Sequence, residues 1–76
     1  MNNEIGKNVY RKLLYFFENK LPVHIVLTDN SWHNGIIIDL NEERLSMVLQ
    51  EFVEGNLPIL LENVSLDLIK PYQKKP

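Results

Sequence analysis

The two histidines, His24 and His33, are the residues of this chain most suited to bind a metal ion or to transfer a proton. A two-residue turn at Asp29-Asn30 would place both rings on one face of a hairpin, as diagonal neighbours about 7–8 Å apart at the backbone. A zinc site needs further ligands, and no carboxylate is clearly placed beside the pair. We therefore expect two ordinary surface or interface histidines, and no bound metal or cofactor.

The remaining polar residues do not form a pattern that is typical of an enzyme. Glu42 and Glu43 are adjacent in a turn, and the order of serine, histidine and aspartate does not suggest a catalytic triad. General acid–base catalysis needs a pocket and neighbours that perturb a pKa. The three glycines are too far apart to form a phosphate-binding loop. We expect a binding protein that is not an enzyme.

Positive charge is gathered at the two ends of the chain. Residues 1–20 carry a net charge of +2, residues 21–62 carry −6 and residues 63–76 carry +2, so that the total is −2. Because an acidic surface repels phosphate, any contact with nucleic acid should use the ends. The candidate contacts are Lys7, Arg11, Lys12, Lys70, Lys74 and Lys75. The alternative is that these charges simply form a solvated surface.

The chain has a single tryptophan, Trp32, just past the predicted turn. Simple pairing across a two-residue turn sets Trp32 opposite Leu27, on the inner face, and we expect Trp32 in the core. A longer turn would bury His33 and expose Trp32, which could then stack on a base or fill a pocket of a partner. Tyr72, close to Lys70, could flank such a surface.

These residues must be positioned by one helix and five strands. We expect the helix over residues 4–19, where apolar residues follow helical spacing at Ile5, Val9, Leu13 and Phe16. Lys7 and Arg11 share its opposite face, and Pro22 prevents its continuation. The broad apolar stripe should cover an open end or side of the sheet, although a helix that binds a partner is the alternative.

Short apolar segments joined by tight turns predict an antiparallel sheet over residues 22–70. The expected strands are 22–28, 31–39, 44–53, 57–61 and 67–70, with a frayed basic tail over 71–76. Gly35 inside the second strand indicates a bulge, a sharp bend or a close backbone approach. The third strand is apolar on both faces or carries a bulge. The expected core is Val9, Leu13, Phe16, Val23, Ile25, Leu27, Ile36, Ile38, Met47, Leu49, Ile59, Leu61 and Ile69.

The length of the chain, 76 residues, predicts a single domain over 1–76 and self-association. A domain of this size buries only about 60% of its unfolded surface. Cysteine is absent, which excludes disulfides, so a partner subunit is the remaining source of buried area. The fourth strand is apolar and could be an exposed edge. We expect a homo-oligomer, a dimer or a ring, whose interface includes Leu57, Ile59, Leu60 and Leu61.

The hydropathy of the chain predicts a cytoplasmic protein without a membrane segment. No apolar run approaches the roughly 20 residues of a membrane-spanning helix. The N-terminal residues lack the charged and apolar regions of a signal peptide.

One run of residues resembles a known family. Val23-x-Ile25-x-Leu27-x-Asp29-Asn30, followed after four residues by Gly35-x-Ile37, is similar to the first motif of the Sm-like (LSm) proteins. Those proteins belong to the SH3-like small β-barrels, and a helix followed by five bent strands is their layout. The resemblance implies a mainly β fold, an N-terminal helix followed by a five-stranded antiparallel barrel, that forms rings by pairing the fourth strand with the fifth and that binds RNA.

The elements that form the RNA pocket of that family are missing. An Asp-x-x-Met-Asn loop follows the second strand in the family, whereas residues 39–45 of this chain lack Met-Asn. The Arg-Gly pair near the end of the fourth strand is replaced by Glu62-Asn63. Two hypotheses follow. The chain is an oligomeric module that binds RNA or single-stranded nucleic acid through its basic helix and tail, or it is a protein-interaction or scaffold subunit without nucleic-acid contact.

Overall fold

An N-terminal helix and a five-stranded antiparallel sheet form the fold, as expected from the sequence. A computed structural model describes residues 4–73. The elements are α1 (Glu4–Glu18), β1 (Val23–Val26), β2 (Trp32–Asn41), β3 (Ser46–Glu51), β4 (Gly55–Leu60), two 3₁₀ turns (Leu61–Asn63 and Leu66–Leu68) and β5 (Lys70–Pro71). The strands lie in the order β4-β3-β2-β1-β5. Within residues 4–73, no helix is long and apolar enough to cross a membrane.

The helix α1 packs on the sheet through one apolar face, within one residue of its predicted end. Its buried residues are Gly6, Val9, Leu13 and Phe16, and it contacts β2 and both 3₁₀ turns. Lys20 adopts a left-handed backbone with φ of 52°. Its N–H donates to Phe17 O, and the N–H of Leu21 donates to Phe16 O. This pair of hydrogen bonds is a Schellman motif, which satisfies the last helical carbonyls and ends the helix before Pro22.

The first hairpin has a three-residue loop, and the predicted two-residue turn is wrong. The N–H of Leu27 donates to Ser31 O at 2.8 Å, and Asn30 closes the loop in the left-handed region with φ of 71°. The carboxylate of Asp29 accepts hydrogen bonds from the N–H and the hydroxyl of Ser31. A type I turn followed by one left-handed residue is the common form of a three-residue hairpin loop.

The extra loop residue shifts the pairing by one position and reverses the two faces of β2. Trp32 therefore lies opposite Val26 and is 61% exposed, so the expectation of a core tryptophan is wrong. His33 lies opposite Ile25 and is half-buried, so the two histidines do not share a face. The buried isoleucine is Ile37, whereas Ile36 is half-buried and Ile38 is exposed.

Two further core assignments differ from those expected. Leu27 is only half-buried, and the sequence analysis missed Val64, which is fully buried. The register irregularity lies in β2 between Ile37 and Asp39, not in β3. It leaves Ile38 without a partner on β3 and turns Asp39 to the outer side as well, so that Leu40 lies opposite the buried Met47.

Gly35 is required by a close backbone approach. A Cβ atom at this position would lie 2.3 Å from the carbonyl oxygen of Gln50 on β3. No side chain fits at that distance, so only glycine allows β2 to lie this close to β3 here. Of the three alternatives for this residue, the close approach is the one that the structure confirms.

The sheet curls strongly, but its hydrogen-bonded ladder is not closed. The segment after β4 reaches β1 through a bridge between Leu27 and Val64, and the N–H of Ser65 donates to Val26 O at 2.8 Å. β4 and β1 lie at separate positions of the sheet, with β3 and β2 between them. Since β4 and β5 remain the outer strands, the expectation of a closed barrel is not confirmed.

β5 is shorter and later in the chain than the predicted strand 67–70. Residues Leu66–Leu68 form a 3₁₀ turn, and β5 includes Pro71, the first residue of the predicted tail. The N–H of Tyr72 donates to Pro22 O, and Lys70 pairs with His24. Because the N–H groups of an antiparallel strand point alternately toward and away from the neighbouring strand, the nitrogen of Pro71 points away from β1. On that open side no N–H donor is needed.

Candidate functional site

A row of four side chains crosses the outer face of the sheet, opposite the core. Lys70 on β5 pairs with His24 on β1, and His24 pairs with Asn34 on β2. The row extends to Phe52, whose N–H donates to Asn34 O at 2.9 Å. Because Val23 and Ile25 on either side of His24 are buried, this row points away from the core.

Two pairs of rings lie on this face. The ring of Trp32 lies beside that of His24, with centroids 6.1 Å apart and planes inclined by 32°. The rings of Phe52 and Tyr72 lie 5.5 Å apart and are inclined by 50°. Trp32 and Phe52 are both more than half exposed. We call His24, Trp32, Asn34, Phe52, Lys70 and Tyr72 the aromatic face.

The second ring pair joins segments that are not neighbours in the sheet. In a flat sheet, the two strands that separate β3 from β5 would place their backbones about 14 Å apart. Phe52 follows β3 and Tyr72 follows β5, yet their rings are in contact. The two side chains therefore reach toward each other across the outer face.

A short hydrogen bond fixes the polar pair in the middle of the row. Nδ1 of His24 lies 2.6 Å from Oδ1 of Asn34. Since a carbonyl oxygen only accepts, Nδ1 of His24 carries the proton and donates it. A shallow groove of about 190 Å³ runs beside His24 and Val26, and its far wall is formed by residues 67–70. The face therefore combines flat rings, a fixed amide and a lysine.

The helix cations do not join this face as one patch. Lys7 and Arg11 line a separate groove of about 490 Å³ with Tyr10 and Glu42. Nζ of Lys12 donates to Leu66 O at 3.2 Å, beside the 3₁₀ turn before β5. Of the six predicted nucleic-acid contacts, the structure brings Lys70 to the aromatic rings. Lys74 and Lys75 lie outside the described residues.

A buried carboxylate supports the face from the inner side of the sheet. Oε1 of Glu51 accepts hydrogen bonds from the N–H groups of Val53 at 2.6 Å and Glu54 at 2.7 Å. Oε2 of Glu51 lies 3.6 Å from Nδ1 of His33. The hydrogen bonds from the backbone of Glu54 and Val53 hold the pKa of Glu51 below its usual value, and His33 adds to this effect. The carboxylate thus fixes the turn that carries Phe52.

The predicted interface residues on β4 divide into core and surface. Ile59 and Leu61 are buried within the chain, Leu57 is half-buried, and Leu60 is 51% exposed. The expected interface stays a prediction, but it would have to use the side chain of Leu60 and the open backbone edge of β4.

Both outer strands of the sheet present a proline to the open side. Leu61 lies opposite Leu45 and donates its N–H to Leu45 O. Hydrogen-bonded and non-hydrogen-bonded pairs alternate along an antiparallel ladder, so the nitrogen of Pro58, three residues earlier on β4, points away from β3. Pro71 faces outward on β5 by the same argument. Proline has no N–H to donate, and it is a common means of limiting pairing at a sheet edge. The open edges can therefore form only a short ladder with another strand.

Neither a metal site nor a known relative helps to interpret the face. Among residues 4–73, no group of three or more His, Cys, Asp or Glu side chains could hold a metal ion. Comparisons with family models, curated proteins and solved structures give no match to this chain. The assignment of function therefore depends on the geometry of the face itself.

The sequence analysis missed two members of the face. Phe52 was placed in β3 without a functional role, and His24 was not connected with Trp32. The sequence Asp29-Asn30-Ser31 could have indicated the correct loop. An aspartate side chain that accepts from the N–H two residues later, followed by an asparagine in the left-handed region, is typical of a three-residue loop. That loop alone determines which face carries Trp32.

Proposed function

We propose that this chain is a small Sm-like module that binds single-stranded nucleic acid on its aromatic face. The observation that carries the proposal is the placement of Trp32 and Phe52, both exposed, on the same face of the sheet as His24, Asn34 and Lys70. Exposed aromatic rings that share one face with polar groups are typical of a binding surface.

The rings suit unpaired bases. Each base that stacks on an aromatic side chain contributes about 1–3 kcal/mol, and every base offers a flat face for this contact. The Trp32–His24 pair and the Phe52–Tyr72 pair provide two such platforms on one face of the sheet. In a duplex the bases are already stacked, so this arrangement favours single strands.

The charge near the face supports the same ligand. Lys70 lies in the row, and Lys74 and Lys75 follow Tyr72 closely in the sequence. Residues 63–76 carry a net charge of +2, whereas residues 21–62 carry −6. Phosphates should therefore run along the β5 side of the face, away from the acidic body.

The resemblance to Sm-like proteins agrees with this proposal. An N-terminal helix and the order β4-β3-β2-β1-β5 both accord with it. Because the family's RNA-pocket residues are missing, we place the contact on the aromatic face. Self-association to a dimer or ring remains part of the proposal.

A binding titration tests the proposal. Fluorescence anisotropy of labelled oligothymidylate or oligouridylate should show saturable binding that weakens steeply when salt is raised, because phosphate contacts release counterions. Trp32→Leu and Phe52→Leu should each weaken binding by about fivefold or more. Tyr15→Leu is the matched control, since Tyr15 on α1 is 62% exposed but lies outside the face.

The result also decides between the two hypotheses. If no binding occurs at low salt, where electrostatic attraction is strongest, the nucleic-acid proposal fails. The aromatic face would then be assigned to contact with a protein, for which exposed tryptophan and phenylalanine are equally suited.

A further inference from the structure

We propose that the aromatic face also cleaves RNA, with His24 as the general base and Lys70 as the general acid. This activity, which the sequence pattern did not indicate, rests on the proposed function, because a strand must first bind to the face. The proposal starts from one arrangement. His24 and Lys70 are directly paired across β1 and β5, and both line the same groove of about 190 Å³.

The hydrogen bond from His24 to Asn34 determines which nitrogen of the imidazole acts as the base. Because Nδ1 carries a proton and donates it to Oδ1 of Asn34 at 2.6 Å, the neutral ring has its free lone pair on Nε2. A general-base histidine in acyl-transfer enzymes is held in one tautomer in the same way, by an amide or carboxylate oxygen at its other nitrogen. His24 is thus the base, and Asn34 is a positioning residue.

Lys70 supplies the proton donor on the other wall of the groove. The Cβ atoms of directly paired residues in an antiparallel sheet lie about 4.5–5.5 Å apart. The ammonium group of Lys70 only donates, and the side chain is exposed. One phosphate group is therefore within reach of both His24 and Lys70. Asp67, an exposed carboxylate that lines the same groove, is the competing candidate for the base.

Trp32 brings the substrate to this pair. A base that stacks on Trp32 places its ribose beside His24, because the two rings are 6.1 Å apart. In an internal nucleotide of RNA, the 2′-hydroxyl is the only free hydroxyl of the sugar, and DNA lacks it. The 2′-hydroxyl is therefore the group that Nε2 of His24 deprotonates.

The reaction is a transesterification at phosphorus. Nε2 of His24 takes the proton of the 2′-hydroxyl, and the 2′-oxygen forms a bond to phosphorus. The bond from phosphorus to the 5′-oxygen of the next nucleotide breaks, and that oxygen leaves with a proton from Lys70. The products are a strand that ends in a 2′,3′-cyclic phosphate and a strand that begins with a 5′-hydroxyl. Solvent returns the proton from His24 to Lys70, so no co-reactant is consumed.

The test is a single-turnover assay with the full chain in excess over labelled oligouridylate. EDTA is present, so that metal-dependent nucleases are inactive. We expect mass spectrometry to find fragments that end in a 2′,3′-cyclic phosphate. Oligothymidylate and 2′-O-methyl oligouridylate should bind but stay intact, because neither has a free 2′-hydroxyl.

Variants assign the roles. His24→Gln and Lys70→Gln should each lower the rate at saturation by at least about 100-fold, the lower range for general acid–base catalysis. Asn34→Leu should lower the rate without an equal loss of affinity, whereas Asn34→Asp still accepts from Nδ1 of His24 and should keep cleavage. Lys20→Gln is the matched control for the lysine, because Lys20 is exposed and lies outside the groove, and it should cleave at the wild-type rate.

The outcomes separate this inference from the proposed function. Saturable binding of oligouridylate without cleavage overturns the inference and leaves the proposed function intact. Equal rates for the wild type and His24→Gln also overturn it, because the activity then comes from a contaminating ribonuclease or from another group. A loss of cleavage in Asp67→Asn but not in His24→Gln would assign the base to Asp67 and contradict the assignment to His24. If no oligomer binds at low salt, the proposed function itself fails.

Discussion

The carboxylate of Glu51 lies 3.6 Å from Nδ1 of His33, on the side of the sheet that faces away from the aromatic face. Each of these residues has a neighbour in the sequence that belongs to that face. Phe52 follows Glu51, and His33 lies between Trp32 and Asn34. The inner pair therefore holds β2 and the β3–β4 turn in the arrangement that the outer rings require.

Acid should weaken the fold through Glu51. Hydrogen bonds from the N–H groups of Glu54 and Val53 lower the pKa of this carboxyl in the folded state. A lowered pKa stabilises the fold above the unfolded pKa, near pH 4.5, and this contribution is lost as the pH falls through the folded value. Urea denaturation between neutral pH and about pH 3 should show this loss.

Glu51→Gln isolates that contribution. The variant should be less stable than the wild type at neutral pH, because a neutral amide is a weaker acceptor for the two N–H groups. It should also lose less stability on acidification. If both proteins lose stability in parallel below about pH 4.5, Glu51 is not the group responsible.

Gly35→Ala should destabilise the protein by about 3 kcal/mol, the upper range for an overpacked site. The added Cβ would lie 2.3 Å from Gln50 O, and backbone cannot yield as a side chain can. Gly6→Ala is the control, because its Cβ would meet only the side chain of Leu45, most closely its terminal Cδ1 at 3.0 Å, and alanine favours the helix. Its free energy of unfolding should change by less than about 1 kcal/mol. Equal effects of the two variants in urea denaturation would contradict the close approach.

Much of the fold could be predicted from the sequence because local signals determine it. Helical spacing placed α1 within one residue, Pro22 marked its end, and Gly55 marked the β3–β4 turn. The failure began in one loop. Loops of two and of three residues at Asp29-Asn30 have almost the same sequence pattern. The loop length nevertheless decides on which face of the sheet each side chain of the following strand lies.

The candidate site was harder to predict for the same reason. Its members come from four segments, and register and curvature decide whether they meet. The net charge of the chain ends pointed to Lys70, but it also pointed to Lys7 and Arg11, which the structure places in another groove beside Glu42. Charge patterns indicate a ligand class without locating the surface.

The cations should contribute unequally to binding. Lys70→Glu should weaken binding to oligothymidylate by about tenfold and reduce its salt dependence, because Lys70 lies beside the stacking rings. Lys7→Glu combined with Arg11→Glu should have a smaller effect per charge. Anisotropy titrations at two salt concentrations measure both. A larger loss per charge from the helix variant would place the nucleic acid on α1.

Self-association, if it uses the edge of β4, should depend on Leu60. Pro58 and Pro71 shorten any ladder between β4 and β5, so an exposed side chain must supply much of the buried area. Leu60→Glu should therefore shift the protein toward its 9.0 kDa monomer in sedimentation equilibrium at micromolar concentration. A wild-type chain that is already a monomer under those conditions would refute the predicted oligomer.

The most direct test of the central claim is a titration of ¹⁵N-labelled protein with oligothymidylate, followed by NMR. Trp32 is the only tryptophan, so its indole N–H gives one unambiguous signal in the proposed site. We expect the largest shift changes at that signal, at the side-chain amide of Asn34 and at the backbone N–H groups of Phe52 and Lys70. Saturable changes confined to α1, or no changes at low salt, would contradict the assignment of the aromatic face as the binding site.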